Sequence, residues 1–363
     1  MKYVSEFRAK AFIEALLGEI AKEAASGIRR TFMEVCGTHT AAIARGGLKR
    51  LLPAAIKLVS GPGCPVCVTS TAYIDAAMAR ALRPEVTIAT FGDMLRVPGS
   101  AGTLEAAKAR GADVRVVLSV LEALAMARER PDRRVVFLGI GFETTAPTTA
   151  AALARARAEG IGNFLVASAH KTMPAAMRAL AADPAVAVEG YICPGHVCTV
   201  AGLAPFAPLV EEFGIPAAIA GFEPTDVLAA VLALIKQRNR GESRLENLYR
   251  RSVRPEGNPK ARRLVASVFE PADAWWRGLG VLPGSGLALR REYAAHDADA
   301  VLPVAAEAPR EPAGCRCADV LKGIIEPKDC PLFGEACAPD RPIGACMVSS
   351  EGACHAAHRW DRS

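Results

Sequence analysis

The sequence is poor in aromatic residues and has no long hydrophobic run. Phe, Tyr and Trp make up 6% of its 363 residues, although hydrophobic residues of all kinds reach 51%. No apolar run approaches the roughly 20 residues that span a bilayer. The first ten residues mix charges and lack the apolar core of a signal peptide. We therefore expect a cytoplasmic globular protein of two or three domains, with no membrane segment.

A strong charge of either sign is also absent. The 44 basic and 38 acidic residues give a formal net charge of +6, and the basic residues form a cluster between Arg238 and Arg263. This mild excess does not favour a nucleic-acid partner. We interpret the cluster as a solvated face, with a docking patch for an acidic partner as the alternative.

Cysteine, in contrast, is abundant, with 11 residues. A disulfide framework is not expected in a reducing compartment, so this number argues for metal or redox chemistry. The distribution is uneven. One cysteine comes early, two stand in a Cys-x-x-Cys motif, two lie near the middle, and six are packed into residues 315–354.

The motif Gly-Pro-Gly-Cys-Pro-Val-Cys-Val-Thr at 61–69 is the most distinctive stretch of the chain. It follows an apolar run at 56–59, predicted to be a buried strand, and precedes a helix predicted over 73–82. Cys64 and Cys67 thus lie where backbone N–H groups and a helix dipole favour a thiolate. The pair can close as a disulfide or bind one metal ion, and its spacing does not choose between these.

Predicted strands and helices alternate through most of the chain up to about residue 240. Apolar strands that alternate with helices indicate parallel sheets covered on both faces, with active groups at the carboxyl ends of the strands. The sequences GFETT at 141–145 and GFEPT at 221–225 each follow an apolar strand and open a helix. This repeated sequence is consistent with two similar lobes, although chance or shared turn chemistry explains it equally well. Beyond residue 245 the periodicity fades; an apolar cluster of Trp275, Trp276, Leu279 and Val281 is predicted, and 303–312 is predicted to be a linker.

Several polar residues follow predicted strands. Cys36 and His39 follow the strand at 31–35, and His39 can be a ligand, a base or a structural residue. Glu143 and Thr144 follow the strand at 135–140, where helix capping explains the threonine fully but the glutamate less well. His196 follows another strand and can face the same cleft. We therefore consider these residues candidate site residues.

Cys193 and Cys198 lie five residues apart across that last turn. We favour a structural role for both.

The cysteine-rich tail is predicted to be a third unit, held together by metal. Zinc is the main competitor, but the tail lacks the paired Cys-x-x-Cys knuckles of zinc sites. Its irregular spacing, with Pro and Gly next to cysteines, favours a [4Fe-4S] cluster. Four ligands must come from six cysteines, and Cys315 and Cys317 are too close for both to reach different irons easily.

Five motifs, in order, carry a resemblance to a known family. They are CGTH at 36–39, GPGCPVC at 61–67, GFETTAP at 141–147, PGHV at 194–197, and the tail segments CPLFG at 330–334 and GACMVSSEGAC at 344–354. Together they resemble the HypD family of [NiFe]-hydrogenase maturation proteins over nearly the whole chain.

The resemblance implies a scaffold on which the Fe(CN)2CO unit of hydrogenase is assembled. It implies as partners a small HypC-type chaperone and HypE, which delivers cyanide made with HypF. Carried over by motif, Cys36 is the candidate iron thiolate with His39 beside it, and Cys64 and Cys67 are a redox pair or iron ligands. The cluster ligands that we predict are Cys317, Cys330, Cys337 and Cys354, with Cys315 and Cys346 less essential.

The resemblance also implies an architecture: two Rossmann-like parallel-sheet lobes around a central cleft, plus a C-terminal iron–sulfur domain. We place the first lobe at 1–132, with an N-terminal helix over 7–25, the second at 133–244 and the C-terminal region at 245–363. The sequence departs from the family pattern at Cys198, where serine is expected, and at His355 and His358.

Two functions from different classes therefore compete. One is an assembly scaffold with redox function in a multiprotein complex. The other is a free-standing iron–sulfur thiol–disulfide oxidoreductase. Both predict a cluster and a reactive Cys64–Cys67 pair, but only the first requires iron at Cys36 and a small protein partner.

Overall fold

The computed structural model of the chain describes residues 10–305 and 310–361. Residues 7–9 of the predicted first helix and 306–309 of the predicted linker lie outside the described residues. No helix within the described ranges is long and apolar enough to cross a bilayer.

Up to residue 240, the longer helices in these ranges lie where the alternating pattern predicts helices, whereas the short helices at 65–68, 195–201 and 208–211 were not predicted. The helices are α1 (Lys10–Glu23), α2 (Gly37–Arg45), α3 (Leu48–Leu51), α4 (Pro65–Val68), α5 (Thr71–Ala81), α6 (Leu104–Ala109), α7 (Val120–Glu129), α8 (Ala146–Ala158), α9 (Met173–Ala182), α10 (Gly195–Ala201), α11 (Pro208–Glu211), α12 (Pro224–Asn239), α13 (Pro259–Val268), α14 (Ala298–Val301), α15 (Cys317–Leu321), α16 (Ala345–Val348) and α17 (Ala353–Trp360). Short 3-10 helices lie at Gly92–Arg96, Ala204–Phe206, Arg291–His296 and Pro327–Asp329.

The strands form two parallel sheets and one hairpin. They are β1 (Arg30–Glu34), β2 (Ile56–Ser60), β3 (Val86–Thr90), β4 (Val114–Val116), β5 (Arg134–Gly141), β6 (Phe164–His170), β7 (Gly190–Pro194), β8 (Ala217–Ala220), β9 (Leu245–Asn247), β10 (Phe269–Trp276) and β11 (Gly280–Leu289). One sheet has the order β2-β1-β7-β8-β9 and the other the order β4-β3-β5-β6, and every pairing in both is parallel. The predicted α/β class with two Rossmann-like lobes is confirmed.

The strands are shared between the sheets differently from the division that we expected at residues 132/133. The five-stranded sheet takes β1 and β2 and then β7 to β9, because Phe32 of β1 lies in register with Gly190 of β7. The four-stranded sheet takes the intervening strands, β3 to β6. One lobe is therefore discontinuous in sequence, and the carboxyl ends of β1, β2, β7 and β8 meet at one edge.

The strands are apolar along nearly their whole length because helices cover both faces of each sheet. All five residues of β3 and of β7 are buried. Side chains from both sheets and from the tail share one core: Met33 from β1, Leu138 from β5 and Cys346 from the tail all belong to it. The tail therefore contributes side chains to the same hydrophobic core as both sheets.

The hairpin of β10 and β11 was not predicted from the sequence. Trp276 is fully buried and its ring stacks on Phe142 with centroids 5.8 Å apart. Val281, however, is 61% exposed, and it pairs with Trp275 on the neighbouring strand. The predicted cluster is therefore wrong for Val281, because strand alternation turns its side chain to solvent.

Candidate functional site

Cys36 lies in the turn between β1 and α2, at the N-cap position of the helix. The backbone N–H of Gly37 donates to the carbonyl oxygen of Gly63, 3.0 Å away, which ties this turn to the loop after β2. A Cβ atom at Gly63 would lie 2.2 Å from the backbone nitrogen of Cys36. Only glycine fits at 63, since any side chain would force the two loops apart. The loop that carries Cys64 is thus held directly against Cys36.

Carboxyl groups surround the buried Cys36 thiol. Burial raises its pKa to about 12, and the charges of Glu351 and Glu34 raise it as well. The Glu34 carboxyl accepts the backbone N–H of Cys36 at 3.1 Å and the Thr40 hydroxyl at 2.5 Å, and Thr38 donates to Glu351 at 2.8 Å. The thiol is therefore protonated at neutral pH, and a metal ion must displace its proton to bind.

His39 is fully buried in the first turn of α2. Its Nε2–H donates to the carbonyl oxygen of Gly221 at 2.8 Å, which leaves Nδ1 as a bare lone pair with no partner among the described residues. Burial lowers the pKa of His39 to about 4, so the ring is neutral. A neutral imidazole with a free nitrogen is chemically suited to accept a proton or to bind a metal ion.

Phe222 connects the two predicted histidines. Its ring centroid lies 4.6 Å from that of His39 and 3.9 Å from that of His196, which is exposed. The structure thus brings the 36–39 and 194–197 motifs together. From the sequence, Phe222 stands out only as part of the repeated Gly-Phe-Glu motif, because no local pattern indicates that a ring from the turn after β8 contacts histidines from two other turns.

Cys64 is the N-cap of α4, and Cys67 lies within this short helix, which follows β2. The Cys64 sulfur accepts the backbone N–H of Cys67 at 3.3 Å, and the two sulfur atoms are 2.6 Å apart. A disulfide can close from this position with little movement. The expectation that the helix start favours a thiolate is wrong for Cys67. Burial raises its pKa, the neighbouring Cys64 raises it further, and α4 has only four residues to supply a dipole.

Arg277 is a site residue that the sequence analysis missed. Its buried guanidinium donates to the carbonyl oxygens of Cys67 at 3.0 Å and Thr69 at 2.8 Å, and it forms an ion pair with Glu311. These bonds satisfy carbonyl groups at the end of α4. They also place beside Cys67 a positive charge that lowers its pKa, against the larger effect of burial. No local motif indicates this role, since Arg277 follows β10, far along the chain.

Glu143 lies in the turn after β5 and borders an apolar cavity of about 500 Å³. Its Oε1 accepts the backbone N–H of Met173 at 3.0 Å, whereas its buried Oε2 has no partner within the described ranges. Burial raises the pKa of this carboxyl to about 7. Thr144 is exposed, and the N-cap of α8 is Thr145, whose side chain makes no capping bond. The prediction that helix capping explains Thr144 is therefore wrong.

Cys193 and Cys198 are both free and fully buried. Burial raises the pKa of each thiol. This surrounding suits the structural role that we favoured for them.

The six tail cysteines border one small cavity, which is closed by Leu332, Phe333, Gly344 and Met347. Cys317 and Cys346 form a disulfide, and the free thiols are those of Cys315, Cys330, Cys337 and Cys354. Burial raises the pKa of Cys354, and the charges of the other three free cysteines raise it further, as expected for close neighbours. His355 donates to the carbonyl oxygen of Met347, and His358 lies edge-on to Phe333.

The four free tail thiols border the same small cavity. Within the described ranges, no group of three or more His, Cys, Asp or Glu side chains is placed to hold one metal ion. A [4Fe-4S] cluster takes four thiolates, one for each iron. The predicted ligand Cys317 has no free thiol while it is bonded to Cys346, whereas Cys315 belongs to the free set. The presence of a cluster stays a prediction.

The tail also contacts both strand-end motifs. The Cys67 sulfur lies 3.8 Å from the carbonyl oxygen of Ala345, the residue before Cys346. Helix α17 packs against α2, and α16 against α4. Cys36, the dithiol and the tail cysteines therefore lie on segments that contact one another, although they are far apart in sequence.

Comparison with known proteins places this arrangement in a family. The HypD family profile, described as "Hydrogenase formation hypA family", matches residues 11–361. The chain is 47% identical to the hydrogenase maturation factor HypD of Rhizobium leguminosarum bv. viciae, over 99% of this chain and 95% of that protein. It is 46% identical to HypD of Azotobacter vinelandii, over 100% of this chain and 97% of the relative. It is 43% identical to HypD of Escherichia coli K12, over 99% and 98%.

Proposed function

This chain belongs to the HypD family of hydrogenase maturation factors, and we propose that it is the scaffold on which the Fe(CN)2CO unit of [NiFe]-hydrogenase is assembled. The observation that carries this proposal is the buried Cys36 thiol, which Gly63 holds against the dithiol loop. The iron is the cargo in this proposal, and Cys36 binds it through its thiolate. Soft thiolate ligands suit an iron that also takes cyanide and carbonyl.

The residues around Cys36 support a binding site at which a metal ion replaces the proton of the Cys36 thiol. The pKa of the thiol is high, so loading with iron releases a proton. Glu34 is buried against the Cys36 turn and has a raised pKa of about 7, which suits a group that passes a proton near neutrality. His39 offers Nδ1 as a second acceptor or ligand.

The dithiol of Cys64 and Cys67, which lies beside the proposed iron site, is suited to exchange electrons with the tail. When Cys64 and Cys67 close into a disulfide, two electrons and two protons leave the pair, and the nearby Cys317–Cys346 disulfide can accept them by thiol–disulfide exchange. The contact between Cys67 and Ala345 brings the two pairs together. Arg277 stabilises the thiolate that this exchange requires.

The tail is suited to hold a [4Fe-4S] cluster through Cys315, Cys330, Cys337 and Cys354. When bound, such a cluster supplies single electrons. Leu332, Phe333 and Met347 line the cavity of these thiols together with the Cys317–Cys346 disulfide. The thiols of Cys330, Cys337 and Cys354 are buried, and that of Cys315 is half-buried.

The assembly is proposed to take place in the cytoplasm, in complex with a HypC-type chaperone and with HypE, which delivers cyanide made with HypF. The exposed ring of His196, stacked on Phe222, gives a partner a surface next to buried His39. A free-standing oxidoreductase would use the dithiol in the same way but would have no need of Cys36.

An infrared spectrum tests the proposal. The protein is purified without oxygen after co-expression with HypC and HypE, as wild type and as Cys36→Ala. We expect metal-bound cyanide and carbonyl bands in the wild type and none in the variant. Bands of equal strength in both would contradict iron binding at Cys36, whereas an intact cluster without bands in the wild type would favour the oxidoreductase.

A further inference from the structure

Lys171 is a buried cation that the proposed function does not use. It follows β6 directly, and its backbone N–H donates to the carbonyl oxygen of Gly141 at 3.0 Å. The residue is 5% exposed. Its Nζ lies 5.7 Å from the centre of the Trp276 ring, and its backbone bridges to Gly286 in the β10–β11 hairpin. The hairpin therefore covers the lysine, and the aromatic face gives partial compensation for its charge.

No acidic side chain compensates Lys171. Across residues 10–305 and 310–361, no carboxylate lies within 4.0 Å of its ammonium, and no acceptor forms a hydrogen bond with it. Two arginines are equally buried, but Arg80 is paired with Asp299 and Arg277 with Glu311. A largely buried cation without a counter-charge is costly. The Lys171 ammonium is not among the fully enclosed, unpartnered side-chain atoms of the described residues, so it keeps an opening to the cavity that it borders. Burial lowers the pKa of Lys171 to about 8, which leaves most of it charged at neutral pH.

Lys171 borders a cavity of about 220 Å³ between the end of β6, the start of α5 and the hairpin. Ser70, Tyr73 and Ser168 line it as well, and Ser70 is the N-cap of the 11-residue helix α5. The hydroxyl groups of Tyr73 and Ser168 already donate to the carbonyl oxygens of Ala167 and Leu287, so the main donor left for an occupant is Lys171. Helix N-termini favour anions. One carboxylate, Asp273, also lines the cavity, but it is exposed and accepts the backbone N–H of Gly284 in the hairpin.

We propose that this cavity binds a small, singly charged anion on the ammonium of Lys171. The anion is of the size of formate, bicarbonate or thiocyanate, because a single unpaired cation and a carboxylate at the rim disfavour a multiply charged one. The site is separate from Cys36 and needs neither the cargo iron nor the cluster. Ser70 and Tyr73 lie directly after the dithiol helix α4, so an occupant would lie beside the segment that holds Cys67.

Calorimetric titration of the full-length protein with sodium formate and sodium thiocyanate tests this proposal, with ionic strength held constant by sodium gluconate, whose anion is much larger. We expect saturable binding to the wild type. Lys171→Met should weaken it about tenfold or more, because a hydrogen bond to a charged group is lost. Lys57→Met is the matched control: it removes an exposed lysine that is paired with Glu326, and binding should equal that of the wild type.

Equal binding by the wild type and Lys171→Met would overturn the proposal, as would heats that never saturate with either anion. The latter result would indicate that the aromatic contact alone supports a buried lysine. If Lys171→Met does not fold, the wild type decides: its Tm should keep rising with the logarithm of the formate concentration relative to equimolar gluconate, and no rise would contradict the site.

Discussion

The strand-end cysteines and the tail cysteines are positioned in different ways. Cys36, Cys64 and Cys67 lie at the carboxyl ends of neighbouring parallel strands, where backbone hydrogen bonds fix each turn. The tail cysteines lie on short helices and turns, and their positions depend on contacts with one another and with the lobes. The first set is therefore arranged by the sheet, whereas the second set is arranged by its own bonds.

This difference suggests that the strand-end cysteines and the tail cysteines have different functions. A site built on a rigid sheet keeps its geometry while its ligands come and go, as the cargo role of Cys36 requires. A site built from irregular segments gains rigidity from a covalent link such as the Cys317–Cys346 disulfide. Four predictions test this comparison.

The largest effect is expected at Cys36. Cys36→Ala should abolish hydrogenase maturation in a strain that lacks its own HypD, because no other thiol lies at the end of β1. The absorbance of the tail cluster should be unchanged. Cys193→Ala, a buried thiol in β7, is the control and should retain maturation. Loss of cluster absorbance in Cys36→Ala would mean that the two sets of cysteines do not act separately.

The second effect distinguishes two neighbouring tail cysteines. Cys315→Ala should lose the cluster, because it removes one of four free thiols, whereas Cys317→Ala should keep most of its iron, because it removes only a disulfide partner. Iron and sulfide content after anaerobic purification measures this. The reverse result would restore the ligand set predicted from the sequence.

The third effect concerns the contact between the two strand-end loops. Gly63→Ala should lower the free energy of unfolding by about 2–3 kcal/mol, because its Cβ would collide with the Cys36 backbone. Gly162→Ala has open space around its Cβ and should change stability little. Urea unfolding measures both. Equal stability of the two variants would indicate that the loops are not held together by this contact.

The fourth effect is a pH dependence. Burial raises the pKa of Glu143 from 4.5 to about 7, so the fold prefers its protonated form. The stability that this carboxyl contributes is full below about pH 4.5 and is lost as the pH rises through about 7. Between about pH 5 and 8, the wild type should thus lose up to about 3 kcal/mol more than Glu143→Gln, which cannot ionise.

Urea unfolding at both pH values checks this, with Glu105→Gln on an exposed helix position as the control. Glu34 and Glu351 also have raised pKa values and remain in both proteins, so some pH dependence should persist in Glu143→Gln. Identical slopes in the wild type and Glu143→Gln would contradict an effect of burial at this carboxyl.

Much of the strand-end site was predictable from the sequence because it is local. The periodicity of residues 30–240 places Cys36, Cys64, Glu143 and His196 at strand ends, and the structure has strands there. Parallel sheets then bring such ends together.

The missed features depend on contacts between distant segments. Arg277 reaches Cys67 from the hairpin, and Phe222 separates two histidines that come from other turns. The choice between Cys315 and Cys317 depends on which of them meets Cys346, which spacing does not reveal. The order of the strands within each sheet also could not be predicted, because the alternation of strands and helices does not indicate that β1 pairs with β7.

Mössbauer spectroscopy of protein loaded with isotopically enriched iron tests the central claim most directly. After co-expression with HypC and HypE, the wild type should contain two kinds of iron, a cluster component and a mononuclear low-spin component. Cys36→Ala should lose only the mononuclear component, and Cys315→Ala should lose the cluster component. A mononuclear component that survives in Cys36→Ala would contradict the claim that the strand-end thiol holds the cargo iron.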